Sequence, residues 1–156
     1  LLHANSLHDF AHRAAVLVEE VRGAKREIDK LNAELSSTRL GAFIGQAQEV
    51  GKLKLLTAHL KVRPDVARAM CDEIKATHPE MVAVLAIESE GKLNFVACCG
   101  ADAVKAGAHA GNILKAVSAV TGGKGGGRPD SAMSGGVDVS KIPAALALVK
   151  SLLPET

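Results

Sequence analysis

The sequence predicts an α/β fold. A long helical, coiled-coil-like arm over residues 1–47 precedes a small α/β sandwich over 48–156, built on a mixed sheet of three or four strands. Three observations carry this. Apolar residues in the first segment keep a heptad beat, the period drops to two beyond Gly51, and a wholly apolar run at Met81–Ile87 is followed by a hairpin signal.

The arm is read from Leu7, Phe10, Ala14, Leu17, Val21, Ala24, Ile28, Leu31 and Leu35, whose spacings alternate 3, 4, 3, 4 throughout. That is an a/d seam sustained for about four heptads. Between Ser6 and Ser37 only Gly23 interrupts the helix formers, and no proline does. Glu20, Glu27 and Glu34 border the seam on one flank and Lys25 on the other. So long an apolar stripe needs a partner, either a second copy or a preceding helix. After Ser36-Ser37-Thr38 a second, short helix is expected, ending near Gly51.

From Lys52 to Leu60 apolar and polar residues alternate, as in a strand. Pro64 then opens a helix carrying Val66, Met70 and Ile74, placed in the first turn where its missing N–H is harmless. Met81–Ile87 has the form of a buried central strand, and Leu93–Cys99 returns beside it through a Glu90-Gly91 turn. A right-handed crossover should join the first two strands. Ala108–Val120 reads as a helix with Ile113, Val117 and Val120 on one face and Lys115 on another. Ser140 is placed to cap a final helix through Ala145, Leu148 and Leu152, stopped by Pro154.

Composition narrows the function. The net charge of +2, from 19 basic and 17 acidic residues, is not that of a protein that coats nucleic acid by bulk electrostatics. Phe10, Phe43 and Phe95 are its only aromatic residues, too few for a row of base-stacking rings. Any nucleic acid should therefore bind at a small, shaped site. No stretch has the length of a membrane span and no signal peptide is visible, so a cytoplasmic location is expected. The chain opens on Leu1 rather than Met, which leads us to expect a piece of a longer protein.

Candidate chemistry is sparse. Cys71, Cys98 and Cys99 show no Cys-x-x-Cys spacing, and neighbours on a strand point to opposite faces, so small buried thiols in a reducing compartment are expected. His8-Asp9-Phe10-Ala11-His12 imitates a zinc-protease motif, but both histidines fall at outward heptad positions, with Asp9 in place of the usual Glu. No nucleophile–base constellation is recognisable. Neither catalytic residues nor a metal are expected.

The most informative segment is glycine-rich. Five of the six residues from Gly122 to Gly127 are glycine, the sixth is Lys124, and Arg128-Pro129-Asp130-Ser131-Ala132-Met133-Ser134-Gly135-Gly136 follows. Gly122 and Gly127 have P-loop separation, yet Arg128-Pro129 stands where Lys-Ser/Thr is needed. The dinucleotide fingerprint fails as well, because its third glycine falls on Arg128. Composition leaves two readings open. One is a surface loop with two solubilising cations. The other is a phosphate site in which Lys124 and Arg128 contact phosphate. There Gly122, Gly123, Gly125, Gly126 and Gly127 would permit close approach and offer N–H donors, with Lys115 as a weaker addition.

The fifteen residues Gly122–Gly136 resemble the signature of the DHH-associated domain in the form carried by alanyl-tRNA synthetases, Gly-Gly-Arg/Lys-Gly-Gly-Gly-Arg-Pro-Asp-x-Ala-x-x-Gly-Gly. Phosphoesterases sharing this domain typically carry His after the glycines; here Arg128-Pro129-Asp130 follows, as in the synthetases. Gly51-Lys-Leu-Lys-Leu-Leu is similar to the family's first strand, and Ile142–Val149 to its closing helix. Ser131-Ala132-Met133-Ser134 departs from the common Met-Ala-Gln-Ala, losing a polar contact at 133.

The resemblance implies a carboxy-terminal, non-catalytic module of a bacterial alanyl-tRNA synthetase that binds tRNA(Ala) at its elbow and links aminoacylation to editing. It implies ATP, magnesium and zinc in other domains of the parent chain and none here. Those domains, and a second copy through arm or globular part, are the further expected partners. A long-form free-standing alanyl-tRNA editing hydrolase and a purely structural dimerisation module remain as alternatives. A phosphoesterase tail is disfavoured by Arg128-Pro129-Asp130.

Overall fold

The computed structural model describes residues 2–154, without the side chains of 2–6, 32, 33 and 35–38 in the first helix. It divides into two compact units, Leu1–Ser37 and Thr38–Thr156. Helix α1 runs over Leu2–Ile44 without the break expected at Ser36-Ser37-Thr38. Three polar residues each lower helix propensity by only a few tenths of a kcal/mol, and no glycine or proline stands among them. In the first unit Leu7, Phe10, Leu17, Val21, Ile28 and Leu31 are all exposed, whereas the side chain of Leu35 lies outside the described residues. In the second unit the end of α1 buries Leu40, with Phe43 and Ile44 packed beside it.

The sheet has six strands in the order β1-β2-β3-β4-β6-β5, not the three or four expected. Strands β2 (Leu53–Leu60) and β3 (Met81–Ser89) are parallel, joined by helix α2 (Pro64–Thr77). Strand β4 (Lys92–Cys99) pairs antiparallel with β3 across Glu90 and Gly91, whose φ values of 51° and 72° suit a tight hairpin. The unforeseen strands are β1 (Gln48–Val50), β5 (Gly125–Gly127) and β6 (Ser131–Gly136). Two of them are three residues long, too short to show a period. Glycine, serine and alanine give β5 and β6 no strand propensity, so pairing rather than side-chain preference makes them strands.

Between β4 and β5 lie a short helix α3 (Ala101–Lys105), not anticipated, and helix α4 (Ala110–Val120). The latter starts two residues later than expected, where the His109 ring nitrogen accepts the Asn112 N–H at 3.2 Å. Helix α5 (Ile142–Leu152) follows a 3-10 turn at Val139–Lys141. Ser140 does not cap α5, which starts after Lys141 without a side-chain cap; Asp138 caps the 3-10 turn instead, its carboxylate accepting the Ser140 N–H at 3.0 Å.

The two sheet faces are covered unequally. On one, Val82, Val84, Phe95, Cys99 and Ala132 pack under α4 and α5 through Ile113, Leu114, Val117, Ile142 and Val149. On the other, Leu56, Ala83, Leu85, Val96 and Cys98 pack under Ala67, Met70, Cys71 and Ile74 of α2. Cys98 and Cys99 thus point to opposite faces, as alternation requires. On its face α2 lies against β3 and β4, so the β5–β6 end is left without a helix above it. The glycine-rich candidate site is on this uncovered end.

Candidate nucleic-acid interface

The glycine-rich segment is a hairpin rather than a free loop, and part of its main chain is already hydrogen-bonded. The Gly123 N–H donates to the Ser118 carbonyl at 2.7 Å and the Gly122 N–H to Ala119 at 3.3 Å. From there β5 pairs with β6, with Gly125 opposite Ser134, Gly126 opposite Met133 and Gly127 opposite Ala132. The ladder is closed by Gly135 N–H to Lys124 carbonyl, 3.4 Å, and Arg128 N–H to Ser131 carbonyl, 2.9 Å.

The glycines fall into two classes. A Cβ on Gly123 would collide with the Gly135 carbonyl, one on Gly125 with Ser134, and one on Gly127 with Ala132 at 2.5 Å. One on Gly111, in α4, would run into the Gly127 carbonyl. These residues are glycine so that a helix and two strands can approach closely. Gly126 and Gly135 differ: no heavy atom lies within 4 Å of a Cβ on either, and neither has a positive φ. Both are exposed, and nothing inside the protein asks them to be glycine.

The turn that follows is tied down from three sides. Its Arg128 and Pro129 carbonyls accept the N–H groups of Gly111 and Ala110 at 3.2 and 2.9 Å, and its Asp130 carbonyl accepts from Cys99 at 2.9 Å. The Asp130 carboxylate meets Lys75 of α2 at 3.4 Å, and Lys75 also meets Asp72 at 3.3 Å. Partial burial works against the Lys75 charge, but the hydrogen bond to Asp72 and the nearby Asp130 outweigh it and raise its pKa. Arg-Pro-Asp therefore builds a corner anchored to α2, α4 and the end of β4.

Lys124 and Arg128 flank β5 and their main chains continue its ladder, so alternation assigns them to the face of Gly126. That is the face shared with Met133, on the uncovered side of the sheet. Between this floor and α2 lies an open cleft of about 460 Å³, lined by Arg68, Asp72, Val96, Gly126, Arg128 and Met133 among others. The Arg68 guanidinium donates to the Met133 sulfur at 3.1 Å. Of the charged residues that line it, Arg68 and Arg128 outnumber the Asp72 carboxylate, so the cleft suits an anionic partner.

Residues 50–155 match the family model for the DHHA1 domain. The chain belongs to the DHHA1 domain family. Over 95% of its length this DHHA1 chain is 41% identical to the alanine–tRNA ligase of Shouchella clausii, spanning 17% of that protein. Among solved structures it is similar to the C-Ala domain of the Aquifex aeolicus alanyl-tRNA synthetase, with a TM-score of 0.63 at 29% identity. That match covers 69% of this chain and 96% of the other. It also shares its fold with RecJ from Thermus thermophilus, at TM-score 0.58 and 17% identity over 85% of this chain and 20% of that one. The chain spans about a sixth of the length of the curated relatives it matches.

Within the DHHA1 domain not all expected residues meet. Gly126 and Arg128 both line the cleft and Lys124 does not, whereas Gly125 and Gly127 turn towards α4. Lys115 is exposed on α4, over the opposite face of the sheet from the cleft. Arg68 and Asp72 were missed by sequence reasoning. A signal for them existed: Arg68, Asp72 and Lys75 repeat the 4-3 spacing of the buried Ala67, Cys71 and Ile74 one residue along, marking the flanking stripe of α2. Among the described residues no cluster of His, Cys, Asp or Glu could hold a metal, and no helix is long and apolar enough to cross a membrane.

Proposed function

We propose that this chain is the tRNA-binding, non-catalytic carboxy-terminal module of a cytoplasmic alanyl-tRNA synthetase. It contacts the elbow of tRNA(Ala) and thereby brings aminoacylation and editing to bear on one tRNA. Similarity to alanine–tRNA ligases over nearly the whole chain supports a ligase rather than a free-standing editing parent. ATP, magnesium and zinc would act in the parent's other domains.

The observation that carries the reading is the geometry of β5, which is flanked by two cations about four strand residues, roughly 13 Å, apart around a bare glycine. Such a surface can seat a folded RNA backbone by shape and charge, without a row of aromatic rings. The double variant K124A/R128A tests it in filter-binding titrations with tRNA(Ala) across salt concentrations. Each lost phosphate contact should flatten the log–log salt slope by about 0.7–0.9, giving one to two units for the pair. Unchanged affinity and slope would remove this face from the interface.

The exposed heptad series on α1 favours a second role in dimerisation. Leu7, Phe10, Leu17, Val21, Ile28 and Leu31 form a stripe of the kind that associating helices bury.

A further inference from the structure

We infer that the cleft between α2 and the β5–β6 hairpin receives one unstacked nucleobase, preferentially guanine, with Gly126 as its floor and Arg68 and Asp72 reading its edge. This rests on the RNA-binding reading above and adds a base contact to its phosphate contacts.

The floor is the first argument. Gly126 and Gly135 lie on adjacent strands, on the open face, with no internal contact or positive φ that requires glycine. Gly126 stands opposite Met133 and Gly135 beside Lys124, so the two bare residues are diagonal neighbours about 7–8 Å apart, leaving open main chain against which a planar ring can lie. A side chain at Gly126 would occupy that space without touching the protein. The glycine is thus explained by something that comes from outside.

The walls are the second argument. Among the described residues Arg68 donates to the Met133 thioether, a weak acceptor, and forms no ion pair with a carboxylate. Most of its donors therefore remain free, held at the cleft by Met133. Asp72 stands one turn further along α2 and also lines the cleft. Guanine is the base that offers acceptors to a guanidinium, through O6 and N7, while offering N–H donors to a carboxylate. Val96, Met133 and Cys71 supply the apolar contact for the ring. At about 460 Å³ the cleft has the size of a small-ligand site.

The test uses five-nucleotide single-stranded RNAs whose central residue is G, A, C, U or abasic, the other four being abasic, in fluorescence anisotropy titrations with the protein. The G pentamer should bind about tenfold more tightly than the fully abasic one, the expected effect of one seated base. G126V should erase that difference and weaken tRNA(Ala) binding about tenfold while leaving the salt slope unchanged, because the lost contact is not electrostatic. R68K should retain the slope but lose the preference for G. Should G126V melt lower than the parent, G126A serves as the milder block. Equal binding of the G and abasic pentamers, or a G126V tRNA affinity equal to the parent's, overturns the base site. The phosphate reading fails separately, through an unaltered slope in K124A/R128A.

Discussion

Replacing Gly111 by alanine tests how the site is held in place. In most helices this change is stabilising by up to about 1 kcal/mol, because alanine loses less backbone entropy. Here the new Cβ would overlap the Gly127 carbonyl oxygen and sit 2.9 Å from the Gly127 carbonyl carbon and nitrogen. All three atoms are backbone, in a hairpin anchored at both ends, so no side chain can swing away. Overpacking of this kind costs about 1–3 kcal/mol. Pushing α4 off β5 also strains two hydrogen bonds, Gly111 N–H to Arg128 and Ala110 N–H to Pro129, each worth about 1 kcal/mol net. Set against the helix gain, the expected loss is about 2–3 kcal/mol. For a domain of this size that corresponds to a melting temperature lower by roughly 8–10 °C. Thermal unfolding followed by far-ultraviolet circular dichroism, with urea denaturation as a second probe, measures it. G126A is the internal control: its Cβ meets nothing, so its stability should match the parent or exceed it by a few tenths of a kcal/mol. A G111A protein melting at or above the parent would refute the close-approach account of the hairpin.

Further outcomes follow from α1 and the buried thiols. If the heptad stripe pairs two copies, L17E/I28E should sediment as a monomer at concentrations where the parent associates; a parent that is monomeric throughout would exclude that role. Burial pushes the Cys99 pKa up to about 12, and Cys98 is raised by its hydrogen bond with Cys71 and then by burial. Both thiols should therefore react with an aromatic disulfide reagent at pH 8 only as fast as the protein unfolds, and rapid labelling of the native protein would contradict this burial. Because the folded pKa values lie above the unfolded ones, the stability they confer is complete below about pH 8.5. It declines as pH rises toward 12, by roughly 1.4 kcal/mol per pH unit for each thiol.

Elements whose side chains carry the structural information were legible in the chain. The run Met81–Ile87 reads as a buried strand because burial on both faces leaves no polar position, and all seven residues are indeed buried. Pro64 marks the start of α2 because its ring fits only the first turn. The glycine string marked the place of the site for a similar reason, since glycine is selected where main chains or ligands approach closely.

What residues do when they have no side chain to express it was not legible. Nothing local distinguishes Gly125, which must clear Ser134, from Gly126, which clears empty space; their roles differ because pleating sends one towards α4 and the other to the open face. Likewise Arg68 is one more exposed cation until the β4–β6 pairing carries Met133 beneath it, 65 residues away in sequence. Local periodicity and turn chemistry act over a few residues, so the sequence by itself determined helices α2, α4 and α5, the central strands and the location of the glycine motif. The partition of that motif into structural and open positions, and the cleft it forms with α2, were decided by tertiary pairing, because only the folded sheet sets which atoms meet across long separations.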